Sequence, residues 1–308
     1  MEEHTELLTY QAGTEDAGKR IDVYLSSMNE KLSRSHIQKL IAGNCLSVNK
    51  NTGIHANYKL RCNDLIELTI PADRTTEIKP ENIPLDIVYE DNDLLVVNKP
   101  KGMVVHPANG HYSGTLVNAL LYHCADSLSG INGIKRPGIV HRIDMNTTGL
   151  LVVCKNDFTH NHLAAQLKEH SITRKYRAIV LGRISEDGTV DAPIGRHPTD
   201  RLKMSTHART ARNAVTHYHV LEAFQQYTYV ECILETGRTH QIRVHMASIG
   251  HPLLGDDIYG PAKSPFKLTG QTLHAMTLGF IHPRTGSYME FQAPLPEYFE
   301  HLLAILRT

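Results

Sequence analysis

Strand-like segments in the second half of the chain follow one another mostly without a helix between them. They occur at Asp93–Pro100, Leu150–Val153, Tyr176–Leu181, Ala214–Leu221 and Thr228–Leu234. Helical spacing of apolar residues is seen in only a few places between these strands. A doubly wound parallel sheet needs a helix after almost every strand. The order of segments therefore argues against that architecture and predicts an α+β domain on a mixed, mostly antiparallel sheet.

The first 84 residues differ in composition from the rest. Residues 19–70 contain two amphipathic helical runs followed by two strand-like runs, which is typical of a small module. The polar residues 1–18 before it are predicted to be a flexible lead-in. Residues 71–84 carry three prolines and no apolar period, so they are predicted to be an extended linker. The large domain is then expected over residues 85–308.

Composition argues against several classes of protein. The 308 residues carry 32 basic and 32 acidic side chains, so the net charge of zero does not by itself indicate a nucleic-acid binder. No apolar run approaches the roughly 18 residues of a membrane span, and the first residues do not resemble a signal peptide. A cytoplasmic protein without membrane contact is expected. The five cysteines form no C-x-x-C pair and the histidines lack ligand spacing, so no disulfide and no metal is expected.

A short loop with one carboxylate is bracketed by strong structural signals. The turn residues 136–138 precede it and the apolar run Leu150–Val153 follows it, so residues 141–148 are predicted to form a loop. Asp144 lies near the middle of this loop. Catalytic residues are often presented on loops that a rigid scaffold holds. From the residues alone, the favoured interpretation is that Asp144 caps a turn or pairs with Arg142.

The sequence around Asp144 resembles that of RluA-type pseudouridine synthases. H-R-I-D at 141–144 and T-T-G-L-L at 147–151 follow the family pattern H-R-L-D-x-x-T-S-G-L-L, whose Asp is the catalytic residue. Three further segments resemble other motifs of the family: N-K-P-K-G-M-V-V-H-P at 98–107, R-K-Y-R-A at 174–178, and E-T-G-R-T-H-Q-I-R-V-H at 235–245 with H-P at 251–252 and G-D at 255–256. I-G-R-H-P at 194–198 is similar to the subgroup that modifies large-subunit ribosomal RNA.

The module over residues 19–70 resembles the alpha-L RNA-binding motif. The similarity rests on R-I-D at 20–22, S-R-S at 33–35, V-N at 48–49 and Asp64, together with the apolar positions between them. In that family the second helix lays a basic face on RNA. The resemblance therefore implies that Arg34 and Lys39 contact RNA.

The resemblance to the synthases implies an enzyme that isomerises uridine in RNA to pseudouridine. The bond from ribose to the base nitrogen breaks, the uracil rotates, and carbon five rejoins the ribose, so no cofactor is needed. Asp144 would act either as a nucleophile at the sugar or as a base. Arg243 would be the cation beside it, and Tyr176 would stack on the target base.

The same resemblance places further residues against the RNA. Arg142 would fill the gap left by the extruded uridine, and His141, Arg238 and His240 belong to the binding motifs. Nine Lys or Arg against four acids between residues 172 and 212 fit an RNA-binding surface. The expected partner is structured RNA, above all large-subunit ribosomal RNA or an assembling large subunit, bound by a monomer.

Two other classes of protein remain open at this stage. A non-catalytic RNA chaperone or ribosome-assembly factor would use the same surfaces, but it has no need of Asp144, Tyr176 and Arg243 as a set. A metal-dependent nuclease would lose its activity to a chelator, and no such effect is expected here.

Overall fold

The computed structural model describes residues 6–29, 32–70, 78–108, 110–125, 127–131, 133 and 136–308. The chain divides into two compact units, residues 1–76 and residues 77–308. Among the helices of the described residues, none combines the length and the hydropathy needed to cross a bilayer.

The first unit is a three-stranded antiparallel sheet with two helices. Its elements are β1 (Glu6–Gln11), α1 (Ile21–Met28), α2 (Arg34–Ala42), β2 (Leu46–Val48) and β3 (Leu65–Ile70). The strand order is β1-β3-β2. Ile21, Ile37 and Leu68 are fully buried in its core, as the apolar spacing predicts. The Ser33 hydroxyl accepts a hydrogen bond from the His36 amide and so caps α2.

The structure corrects two of the predicted segment boundaries. Within the predicted flexible lead-in, Glu6–Gln11 is a strand that pairs with β3 along its whole length, because Leu8 and Tyr10 pack on the core. Within the predicted linker, Ile78 is buried and the Asn118 side chain donates a hydrogen bond to the Lys79 carbonyl at 2.8 Å. Residues 78–84 thus belong to the large unit, while 1–5 and 71–77 lie outside the described residues.

The second unit is built on a nine-stranded mixed sheet. The strands of the whole unit, three of which lie outside this sheet, are β4 (Ile87–Glu90), β5 (Leu94–Lys99), β6 (Thr148–Cys154), β7 (Thr173–Leu181), β8 (Gly188–Asp191), β9 (Ile194–Arg196), β10 (Met204–Ser205), β11 (Ala211–Arg212), β12 (Val215–Ala223), β13 (Tyr227–Leu234), β14 (Leu273–Ile281) and β15 (Tyr288–Gln292). Its helices are α3 (Leu116–Cys124), α4 (Asp157–Lys168), α5 (Gln241–Ser248) and α6 (Glu297–Leu306).

The order of the large sheet is β4-β5-β6-β14-β7-β13-β12-β8, with β15 also paired to β14. The pairing of β6 with β14 is parallel, and the other pairings of described strands in the sheet are antiparallel. This confirms the predicted α+β class. β9, β10 and β11 form a separate small sheet with β9 at its centre.

Strand β6 is buried on both faces, which explains why its sequence is apolar at almost every position. Leu151 and Val153 enter the core cluster on one face, and Leu150 and Val152 enter the cluster on the other. Gly149 at the start of the strand has φ 109°, and a Cβ there would lie 2.2 Å from the Ala275 carbonyl oxygen of β14. A glycine is therefore required where the loop that carries Asp144 enters the sheet.

Candidate active site

The loop that precedes β6 is anchored at two positions just after Asp144. The Met145 carbonyl accepts hydrogen bonds from the Lys99 side chain and from the Gly102 amide, each at 3.0 Å. Two residues farther on, the buried Gln271 side chain donates to the Thr147 hydroxyl at 3.0 Å. The backbone that carries the Asp144 carboxylate is thus fixed by residues from distant parts of the chain.

Asp144 is held by an arginine that is itself held by a second carboxylate. Arg243 on α5 donates from Nη1 to Asp144 Oδ2 at 3.0 Å. Its Nε and Nη2 donate to Asp256 Oδ2 and Oδ1 at 2.7 and 2.9 Å. The Arg243 and Asp256 side chains are 4% and 0% exposed, whereas that of Asp144 is 26% exposed. The buried pair therefore fixes the guanidinium, and the guanidinium orients the accessible carboxylate.

Charge pairing keeps both buried groups of this network ionised. Burial would lower the pKa of Arg243, but hydrogen bonds and charge attraction from Asp256, and then from Asp144, raise it above its ordinary value. Burial would raise the pKa of Asp256, yet the Arg243 contacts and the amides of Ile258 and Tyr259 hold it below the usual range. The arginine beside Asp144 is thus a permanent cation.

His240 and Tyr259 form a second support beside Asp144. His240, in the left-handed region at φ 56°, precedes α5 and places Nε2 3.9 Å from Asp144 Oδ1. Its Nδ1 lies 2.8 Å from the Tyr259 hydroxyl, which also accepts the Met204 amide at 2.8 Å. That hydroxyl keeps its own hydrogen and a second lone pair, so it can pair with either neutral tautomer of the His240 ring. Burial lowers the pKa of His240, in keeping with a neutral ring.

Asp144, His240 and Arg243 line one open cavity of about 700 Å³, whereas Asp256 and Tyr259 support them from behind its lining. Tyr176 on β7 is 8% exposed, and burial raises the pKa of its phenol, so the hydroxyl keeps its proton at neutral pH. Ile242 and Leu273 add apolar surface, so the cavity combines an aromatic ring with one accessible carboxylate. The cavity brings together these residues that the sequence motifs single out: Asp144, Tyr176, Arg243, Arg142, His141, Arg238 and His240.

Three of the predicted RNA contacts differ in how free their side chains are. Arg142 is exposed at the cavity and donates from Nη1 to His106 Nε2 at 3.3 Å. Arg238 donates from Nε to the Asn213 carbonyl at 2.9 Å. His141 accepts the Val152 amide on Nε2 at 3.0 Å, and burial lowers its pKa to about 3. The His141 ring therefore ties the loop to β6, and an RNA contact by it stays a prediction.

The two other predicted RNA contacts lie on α2 in the first unit. Arg34 donates from Nε and Nη2 to Asp22 Oδ2 at 3.0 and 2.9 Å, while Lys39 is exposed. Asp22 is fully buried and also accepts hydrogen bonds from Arg20 and Gln38. Arg34 is thus tethered, whereas no ion pair to Lys39 is present among the described residues.

Several residues of the site have no role in the sequence prediction. Asp256 belongs to a G-D pair at 255–256 that resembles the family's third motif, so its position was marked but its contact with Arg243 was not. Tyr259 follows three residues later without any motif, and Lys99 and His106 lie within the first motif. For Asp256, Lys99 and His106 the available signal was motif membership. Tyr259 had no signal, because its contact with Met204 joins residues 55 positions apart in sequence.

One group of potential metal ligands occurs among the described residues, in the turn before β5. Carboxylate and ring atoms of Asp91, Asp93 and His282 lie within 4.8 Å of one another. Asp91 accepts the amides of Asp93 and Leu94, and Asp93 is paired with Arg284. These contacts give the group a structural role that needs no ion.

Comparison with known proteins gives the chain its family. A model of the RNA pseudouridylate synthase family matches residues 93–248. The uncharacterized RNA pseudouridine synthase YlyB of Bacillus subtilis is 55% identical, with 96% of this chain and 97% of that protein covered. Ribosomal large subunit pseudouridine synthase D of Zymomonas mobilis is 49% identical, with 94% of each covered. The solved human RNA pseudouridylate synthase domain containing 1 is 26% identical with a TM-score of 0.58, covering 74% of this chain and 96% of its own. This chain belongs to the RNA pseudouridine synthase family.

Proposed function

We propose that this enzyme converts specific uridines of large-subunit ribosomal RNA to pseudouridine and that Asp144 is its catalytic carboxylate. The observation that carries the proposal is the chain of contacts from Asp256 through Arg243 to Asp144. It engages Oδ2 of Asp144, while Oδ1 lies 3.9 Å from Nε2 of the neutral His240 ring. A fixed, accessible and ionised carboxylate is the group that either route to pseudouridine requires.

The reaction balances without any group from outside the chain and the RNA. The bond between the ribose and the base nitrogen breaks, and its electron pair leaves with the uracil. Carbon five then bonds to the same ribose carbon and loses its proton, while the former glycosidic nitrogen gains one. Asp144 Oδ1 would either bond to the sugar or take a sugar proton, and the Tyr176 ring would stack on the base as it turns.

A basic surface near the cavity supports RNA as the substrate. The small sheet of β9, β10 and β11 and its turns carry Arg196, Arg201, Lys203, Arg209 and Arg212. None of the five forms an ion pair with a described acidic residue, and the four arginines are exposed. The bond from the Met204 amide to Tyr259 joins this sheet to the site. Unpaired cations of this kind bind phosphates.

The choice of large-subunit ribosomal RNA rests on the relatives. Those from Zymomonas mobilis and Pasteurella multocida, at 49% and 44% identity, are named ribosomal large subunit pseudouridine synthase D. The proposal includes a cytoplasmic enzyme that acts as a monomer on this RNA or on the assembling large subunit. Sedimentation of the purified protein should give the 34.5 kDa mass of one chain.

The test is pseudouridine mapping of ribosomal RNA from cells that lack the protein. The cells are complemented with the wild type, with Asp144→Asn, or with Asp187→Asn, which neutralises an exposed carboxylate outside the cavity lining. We expect specific sites to be lost and to be restored by the wild type and by Asp187→Asn. Restoration by Asp144→Asn would overturn the catalytic role and favour an RNA chaperone. Persistence of every site in the deletion would overturn this RNA as the substrate.

A further inference from the structure

The hydrogen bond between His106 and Arg142 joins two residues that line the same cavity as Asp144. An arginine has donors and no acceptor, so the Nε2 atom of His106, 3.3 Å from Arg142 Nη1, must be unprotonated. The ring proton of the neutral form is then on Nδ1. That nitrogen is buried and has no hydrogen-bond partner among the described residues. Geometry alone therefore fixes the tautomer and the direction of the bond.

His106 is well placed to act as a rigid acceptor. Its side chain is 9% exposed, and burial, with Arg136 and Arg142 nearby, lowers its pKa to about 4, so the ring is neutral at physiological pH. The segment before it is fixed to the start of α3, because the amides of residues 116 and 117 donate to the carbonyls of residues 104 and 105 at 2.9 and 3.0 Å.

Arg142 has a competing partner within reach. It lies two residues from Asp144 on the same loop, and the attraction of that carboxylate is felt at its guanidinium. In the structure, however, Asp144 pairs with Arg243, and Nε2 of the neutral His240 ring lies 3.9 Å from its other oxygen. A guanidinium that moved onto Asp144 would cover the carboxylate oxygen that Arg243 leaves open. A contact that holds the Arg142 side chain elsewhere therefore keeps that oxygen accessible.

We propose that His106 is a positioning residue that holds Arg142 away from Asp144 and so keeps both the carboxylate and the arginine available to the RNA. This inference rests on the proposed function and on the role that the sequence resemblance implies for Arg142, which is to fill the place of the extruded uridine. His106 itself takes no part in bond making. Its contribution passes through Arg142, which gives the proposal a specific signature in double-mutant experiments.

The kinetic test uses a large-subunit RNA transcript that carries tritium at carbon five of uracil, because formation of pseudouridine releases that hydrogen. Single-turnover release is measured with saturating enzyme. We expect His106→Leu to slow release about tenfold, the size of a moderate coupling between contacting residues. We expect His106→Gln, which keeps an acceptor near the position of Nε2, to stay within about threefold of wild type. Equal loss in both variants would overturn the role of the acceptor.

Double variants separate positioning from a general structural effect. In an Arg142→Met background, addition of His106→Leu should cause no further loss, since the residue through which His106 acts is gone. The matched control is His160→Leu, which removes a buried histidine of α4 outside the cavity lining and should show the same loss with or without Arg142. Independent, multiplicative losses for His106 and Arg142 would overturn the proposal.

A spectroscopic measurement tests the same geometry without any activity. Nitrogen-15 NMR of the RNA-free enzyme should show His106 as the tautomer with the proton on Nδ1, and Arg142→Met should shift the Nε2 resonance. A proton on Nε2 would exclude Arg142 as the donor and contradict the inference. If the wild type releases no tritium while NMR shows the expected tautomer, the proposed function fails and the His106–Arg142 contact stands.

Discussion

The two units of this chain each contain a network of arginine and carboxylate, and the two networks are inverted. In the first unit the carboxylate is buried: Asp22 is 0% exposed, while Arg20 and Arg34 are 44% and 50% exposed. In the second unit the arginine is buried: Arg243 is 4% exposed and holds Asp144, which is 26% exposed. The first arrangement offers fixed cations to the solvent, and the second offers a fixed anion.

The comparison shows that the charge of a buried ion determines the charge of the exposed partner that it orients. A buried charge is tolerated where partners surround it. Asp22 is satisfied by three side chains, whereas Arg243 needs a second carboxylate, Asp256, before it can hold Asp144. The exposed partner thereby gains a fixed orientation, and it is the group that we propose meets the RNA. Each variant predicted below removes a charge from one of these networks or from a residue compared with them.

The largest effect is expected when the buried cation of the second network is removed. Arg243→Met leaves Asp256 buried without a counterion, which should cost about 3–5 kcal/mol of unfolding free energy. Loss of the group that orients Asp144 should also slow tritium release by about 100-fold or more. Urea unfolding and single-turnover release measure the two effects.

The double variant Arg243→Met/Asp256→Leu gives the matched control. It removes the uncompensated charge and should recover much of the stability but none of the activity, because Asp144 still lacks its partner. Recovery of activity along with stability would show that the network serves folding alone.

A second buried basic side chain sharpens the comparison because its hydrogen-bond partners are carbonyls rather than carboxylates. Lys99 is 1% exposed and donates to the carbonyls of Pro100, Met103 and Met145. Burial lowers its pKa to about 7 from the ordinary 10.5, although the charge of Asp144 opposes the shift. Arg243, which has two carboxylate partners, shows the opposite direction.

The lowered pKa of Lys99 gives a pH dependence of definite sign. Between pH 7 and 10.5 the unfolded chain binds a proton at this residue that the folded chain does not, so stability rises with pH in that window. The slope should be at most about 1.4 kcal/mol per pH unit. Urea unfolding of the wild type and of Lys99→Met at several pH values measures the contribution of Lys99 to the pH dependence of the unfolding free energy. An identical pH dependence in both proteins would show that the folded lysine keeps its proton.

The sequence predicts the elements of the fold best where one pattern runs unbroken. β6 is apolar at almost every position because both of its faces are buried, and its strand was predicted. β14 is also buried and lies near the centre of the sheet, but it was missed. Its sequence includes His274 and Gly279, and the burial of His274 depends on a bond to Thr148, 126 residues away. Such pairing across the chain leaves no local period to detect.

The site shows the same division between local and distant information. Motifs marked Asp144, Tyr176 and Arg243, and the structure places all three around one cavity. The contact of Arg243 with Asp144 spans 99 residues, and nothing in the spacing shows that Asp256 completes it. For His141 the motif suggested RNA, whereas the structure shows its ring nitrogen bound to the Val152 amide. A motif thus identifies positions, and folding decides which atoms remain free.

A smaller effect is expected when the buried anion of the first network is neutralised. Asp22→Asn leaves Arg20 and Arg34 able to turn to water, so the cost should be about 1–2 kcal/mol. Hydrogen bonds from Arg20, then from Gln38 and Arg34, lower the pKa of Asp22. Its stabilisation is therefore present above the unfolded pKa of about 3.9 and is lost as pH falls through the lower folded value. Acid titration of unfolding should show this loss in the wild type and not in Asp22→Asn.

The smallest effects are expected for the exposed cations of α2. They test whether a side chain held by an ion pair binds RNA better than a free one. Arg34 is held by Asp22, whereas Lys39 is exposed and has no ion pair among the described residues. Each single change to Ala should lower the slope of log affinity against log salt by about one if the residue binds a phosphate. At a fixed salt concentration, Arg34→Ala should weaken binding to large-subunit RNA more than Lys39→Ala, because the tethered side chain loses less conformational entropy on binding. Asp22→Asn should remove that difference without changing the salt slope of Arg34. If Lys39→Ala proves the more harmful change, the buried carboxylate serves the fold and does not prepare the arginine for RNA.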